Sequence, residues 1–135
     1  MEVKELNTTR KGAIGELIVK TDLLKNYNIY SPEVDDDEVD LIVEVKPKVF
    51  QTVNVKYIHK AKTKTSIEVR FGRKHPGSKR VDVMAVVYEP IGVAYLPYQD
   101  MGAPQSINLA LYTAANNQDK HRHFFYQFMR YPEFE

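Results

Sequence analysis

Cysteine is absent from the 135 residues. Disulfide scaffolds, thiolate zinc sites and cysteine nucleophiles are thereby excluded, and a reducing cytoplasm is the compatible setting. No apolar run approaches the roughly 18 residues of a membrane span. The opening stretch, MEVKELNTTRKG, is polar and lacks the apolar core of a signal peptide. These absences set the expectation of a cytoplasmic protein with no membrane partner. The four histidines, His59, His75, His121 and His123, show no zinc-binding spacing. GxSxG, Walker A and GxGxxG patterns are missing too, which argues against hydrolase triads, NTPases and dinucleotide folds. The acidic run Asp35-Asp36-Asp37-Glu38 is not a calcium loop, because Val39 and Asp40 stand where that loop needs a ligand and a glycine. It reads as a solvated loop.

An excess of one charge sign is also lacking, since the formal net charge is +1. The distribution is uneven, however. Glu33 to Glu44 holds seven acids and no Lys or Arg, whereas Lys56 to Arg80 holds nine Lys or Arg and one acid, Glu68. A basic stretch beside an acidic one suits a protein that holds phosphates near bound cations, although two solvated loops of opposite sign would look the same.

Composition is ordinary for a globular chain, with 43% hydrophobic and 27% charged residues. No repeat or linker divides it, so residues 1–135 read as a single domain. Residues 8–26 read as a helix capped by Thr8 or Thr9, with an apolar stripe of Ile14, Leu17, Ile18, Thr21 and Leu24. Strands are expected at 28–31, 39–45, 49–58, 67–71, 81–88 and 92–96, with an edge strand through Ile107, Leu109 and Leu111. In the 49–58 strand Val49, Gln51, Val53, Val55 and Tyr57 share one face, and Phe50, Thr52, Asn54 and Lys56 the other. A turn is expected at Asn116-Asn117. Asp119 to Tyr131 reads as a terminal helix stopped by Pro132. Helix, strands, helix gives an α/β layered architecture.

Phosphodiester hydrolysis needs a cation that neutralises charge and acidifies a water. Mg²⁺ takes oxygen ligands, one or two of them carboxylates, and a nearby lysine can stabilise developing negative charge. Asp40 interrupts an otherwise apolar strand. If the 39–45 and 49–58 strands pair antiparallel through Pro47, Asp40 lies close to Asn54 and Lys56. Glu16 on the covering helix could add a second carboxylate. Its bland reading is a surface pair with Lys20 at i,i+4.

Gly12-Ala-Ile-Gly-Glu16, Glu38-Val-Asp40-Leu-Ile-Val and Gln51-Thr-Val-Asn54-Val-Lys56-Tyr resemble, in order and spacing, the PD-(D/E)xK nuclease superfamily. Within it the resemblance is closest to the group I intron homing endonuclease of cyanobacterial type, and more distant to archaeal Holliday junction resolvases. Val81-Asp82-Val-Met-Ala-Val-Val-Tyr88, Ala94-Tyr-Leu-Pro97 and Asn116-Asn-Gln118 extend it, so that it spans about residues 9–120. The resemblance implies a restriction-endonuclease-like core, with a mixed, mostly antiparallel central sheet flanked by helices. It implies a DNA endonuclease using Mg²⁺, with Mn²⁺ as a substitute, and Glu16, Asp40, Asn54 and Lys56 as catalytic residues. Glu16, Asp40, Asn54 and the Val55 carbonyl would hold the metal. The departure is Asn54, where most of the superfamily has an acid; its carbonyl can ligate but brings no charge. A catalytically impaired DNA-binding protein and a junction resolvase therefore stand as alternatives. Arg10, Lys11, Lys60, Lys62, Lys64, Arg70, Arg73, Lys74, Lys79 and Arg80 are the expected DNA contacts. Cutting both strands needs two sites, hence a homodimer or homotetramer.

Overall fold

The computed structural model describes residues 7–36, 38–71, 77–112 and 122–133. It opens with α1 (Thr8–Leu24) and continues through β1 (Asn28–Tyr30), β2 (Leu41–Lys46), β3 (Val49–Tyr57), β4 (Ser66–Arg70), β5 (Val83–Tyr88), β6 (Gly92–Pro97) and β7 (Ser106–Ala110) to a 3₁₀ turn, Phe125–Phe128. The central sheet has the order β1-β2-β3-β5-β6, and β4 and β7 form a second, two-stranded sheet. Only the β3–β5 pair of the central sheet is parallel. A parallel crossover usually runs through a helix; here it runs through β4, which pairs with β7 instead of rejoining the central sheet.

The central sheet is buried on both faces where β5 lies, with Val83–Val87 all buried. On one face Val19 and Leu23 of α1 pack on Leu41, Val43, Val53, Val83, Ala85 and Val87. On the other, Met84, Val86, Ala94 and Leu96 meet Ile67, Val69, Leu109 and Phe125. The fold is mixed α/β, and among the described residues its second face is covered by a small sheet and a 3₁₀ turn rather than by a helix.

Three local expectations are corrected. The cap of α1 is Asn7, whose Oδ1 accepts from the Arg10 N–H at 2.9 Å, not Thr8 or Thr9. The helix turns Gly15, Val19 and Leu23 to the sheet; of the expected stripe, Leu17 and Leu24 are 62% and 60% exposed. Gly15 decides this, because it lets α1 approach β3 so closely that a Cβ there would lie 3.2 Å from Tyr57 Cβ. Finally, the described part of the expected terminal helix is the 3₁₀ turn followed by irregular chain at 129–133, with Tyr131 packed among Tyr27 and Tyr95. The turn expected at Asn116-Asn117 lies outside the described residues.

Candidate active site

Strand β2 begins at Leu41, opposite Val53. Beyond that point β3 runs on without a strand neighbour on this side, which would leave its next N–H groups unpaired. Asp40 fills the gap. Its own N–H donates to the Val53 carbonyl at 2.9 Å, and its Oδ2 accepts from the Val55 N–H at 2.7 Å. The carboxylate is thus locked at the edge of the sheet, at the seam between its two faces.

Each face sends a charged group to that seam. Gly15 contacts Val55 and Tyr57, so the odd-numbered side of β3 faces α1, and the next helical residue, Glu16, reaches Asp40. Asn54 and Lys56 project from the opposite side, in register with Met84 and Val86. The Asp40 carboxyl is pushed up to about 6, by burial first and then by the charge and hydrogen bonding of Glu16, against the downward pull of the Val55 N–H and the Lys56 ammonium. Two carboxyls within hydrogen-bonding reach, one of them holding its proton to near neutrality, are a ready receptor for a cation. The Glu16–Lys20 surface pair is not formed.

Asn54 is 7% exposed. Its Nδ2 donates to the Glu38 carbonyl at 2.8 Å. A carbonyl can only accept, so this bond fixes the amide orientation and leaves Oδ1 as a buried acceptor with no hydrogen-bond partner. Such an orphaned oxygen fits a hard cation or its water. Among the described residues no group of three or more His, Asp or Glu has metal-holding geometry. The acidic donor set is therefore the Glu16–Asp40 pair, within what Mg²⁺ requires.

A cavity of about 210 Å³ opens beside the pair, between α1 and the acidic loop, lined by Glu16, Lys20, Ser31, Asp35, Asp36 and Asp40 among others. The loop is not simply solvated. Asp36 accepts from the N–H groups of Glu38 and Val39 at 2.8 and 3.0 Å and pairs with Arg80 at 2.8 Å. These contacts hold its carboxyl far below the usual range, the Arg80 bond most of all. Ser78 donates to the Glu38 carboxylate.

The expected DNA contacts divide accordingly. Arg10, Lys60, Lys64 and Lys79 are exposed and Lys11 is half-buried, and none of the five makes an ion pair among the described residues. Lys62 and Arg70 both bind Glu68, at 2.8 and 2.9 Å, and Arg80 is engaged by Asp36. Arg73 and Lys74 lie outside the described residues. Lys20, which the sequence offered only as a surface partner of Glu16, stands one helical turn after it and lines the same cavity.

No family model matches the chain, and no curated protein does. Among solved structures it is similar to a bacterial homing endonuclease, I-Ssp6803I, with a TM-score of 0.69 and 18% identity over 92% of this chain and 87% of that one. At that identity the likeness establishes the fold, which is nuclease-like. No described helix is long and apolar enough to cross a membrane.

Proposed function

We propose that the chain is a Mg²⁺-dependent DNA endonuclease of the PD-(D/E)xK type, with Mn²⁺ as a substitute ion. The observation that carries this reading is the Glu16–Asp40 carboxyl pair at the open edge of β3, with the Lys56 ammonium acting on the same carboxylate, in a fold similar to that of a homing endonuclease. Glu16 and Asp40 would hold the ion, with the Asn54 Oδ1 and the Val55 carbonyl as neutral donors. When bound, it supplies charge neutralisation at the phosphate and a water of lowered pKa. Lys56 orients that water and stabilises charge as it grows on the phosphate. The Val55 N–H keeps Asp40 in one rotamer, so the site is organised before substrate arrives. Arg10, Lys11, Lys60, Lys64 and Lys79 hold the phosphate backbone, which positions the duplex without reading it. Cleavage of both strands requires two copies, as a homodimer or homotetramer.

Asn54 favours one second reading, a DNA-binding protein with an impaired site, because a neutral amide stands where an acid would add charge. The two separate on incubation of the protein with Mg²⁺ and linear, nicked and four-way DNA. The endonuclease reading expects cleavage that Asp40→Ala removes; binding without cleavage under all conditions sinks it. Preference for the four-way substrate would mark a junction resolvase.

A further inference from the structure

We propose that Lys20 is a phosphate-contacting residue of the same site, gripping the bound nucleic acid from the helix side of the sheet while Lys56 acts from the other. The inference rests on the endonuclease reading and deepens it.

Lys20 follows Glu16 by one turn of α1, so both side chains leave the same helix face. Both line the 210 Å³ cavity that also contains Asp40. Among the described residues lining that cavity, Lys20 is the one Lys or Arg. It is half-buried, yet it makes no ion pair among the described residues, although four carboxylates border the same space. One of them, Asp36, is already taken by Arg80 and two backbone N–H groups. Among the described residues, then, none of the bordering carboxylates takes up the Lys20 ammonium.

The charges of the site say what those donors suit. The Glu16–Asp40 pair carries −2 when ionised, which one divalent cation cancels. Asn54 adds nothing. Arg80 offsets Asp36 and one of the two lysines offsets Asp35, so Lys56 and Lys20 leave an excess of about one positive charge beside the acid pair, matched to a phosphodiester anion seated between them. A third carboxylate in place of Asn54 would consume that excess, so the amide and the second lysine make electrostatic sense together.

The test uses the full chain, a linear duplex of arbitrary sequence, and Ca²⁺ in place of Mg²⁺, with binding measured against salt. Losing one phosphate contact should flatten the slope of log K on log salt by about 0.9. Lys20→Gln is expected to do this and to weaken binding about tenfold, and Lys20→Arg to restore both. With Mg²⁺, Lys20→Gln should raise KM more than it lowers kcat. A Lys20→Gln protein with the wild-type salt slope overturns the proposal. So does failure of Lys20→Arg to rescue while the acid limb of the pH–rate profile moves, since Lys20 would then only neutralise the acid pair. If wild type cuts DNA and Asp40→Ala does not, a flat result at position 20 removes Lys20 alone. If wild type neither binds nor cuts, the endonuclease reading falls and takes Lys20 with it.

Discussion

Asp40 shows how one carboxylate can complete a strand while its own charge is disfavoured. It completes the hydrogen bonding of β3 where β2 stops, but burial and Glu16 disfavour its charge, and its folded pKa of about 6 exceeds the ordinary 3.8. A raised carboxyl pKa leaves its stabilising contribution intact below pH 3.8 and removes it as pH climbs through 6. In metal-free protein, Asp40→Asn should therefore unfold at higher urea at pH 8, by about 1 kcal/mol after allowance for partial solvent exposure, and match wild type at pH 3.5. With Mg²⁺ well below saturation, cleavage by wild type should rise with pH through about 6, as the carboxylate becomes free for a cation, and saturating Mg²⁺ should move that limb to lower pH. At Asn54, replacement by Asp would set a carboxylate oxygen against the Glu38 carbonyl in place of the Nδ2 bond. Asn54→Asp should cost about 2–3 kcal/mol at pH 8 in EDTA, and less near pH 4, where a protonated Asp donates again. An equal loss at both pH values would show that Glu38 does not set the residue at this position.

Among the elements, α1 is held to the sheet by its smallest residue. A Cβ at Gly15 would meet Tyr57 and Val55 at 3.2 and 3.5 Å. Gly15→Val adds volume where backbone and side chain already touch, and should destabilise by about 1–3 kcal/mol. Because the helix must back away and carry Glu16 with it, cleavage measured well below the melting temperature should fall as well; full activity would mean that Glu16 is not needed at Asp40. The β2–β3 hairpin carries a different strain. Pro47 and a positive φ of 65° at Lys48 fit a type II turn, whose third position favours glycine. Lys48→Gly should stabilise the protein by about 1 kcal/mol, read as a higher denaturant midpoint with unchanged m.

Across the whole molecule, two layers on the central sheet leave the charged residues to loops and edges, and their ion pairs decide which cations remain available. Lys62 and Arg70 share Glu68, whereas Lys60, Lys64 and Lys79 make no such pair among the described residues. Replacing these three together should flatten the salt dependence of DNA binding by up to about 2.7, at roughly 0.9 per phosphate contact, while Arg70→Ala should leave it nearly unchanged. The reverse ranking would mean that DNA displaces Glu68 from its partners.

Much of this arrangement was legible before folding was considered. Period-two alternation marked β3 and β7, and the β-branched run after Asp40 marked β2. The relation of Asn54 to Lys56 followed from residues two apart sharing a strand face. Local pattern reached its limit where partners come from distant chain. Val39-Asp40 and Val81-Asp82 look alike, each an aspartate before a strand, and each carboxylate accepts an N–H of β3, from Val55 and from Thr52. Only the packing of α1 sets Glu16 beside the first of them. The apolar periodicity of α1 likewise defined a stripe without saying that Gly15, Val19 and Leu23 would take the sheet instead. The sequence by itself determined the strands, their faces and the kinds of group available for chemistry, because these depend on side chains a few residues apart. Only the tertiary structure decided which carboxyl keeps its proton, which cations are spent on Glu68 and Asp36, and that Lys20 shares a cavity with the acid pair. Burial and ion pairing depend on separations in space that chain order does not specify.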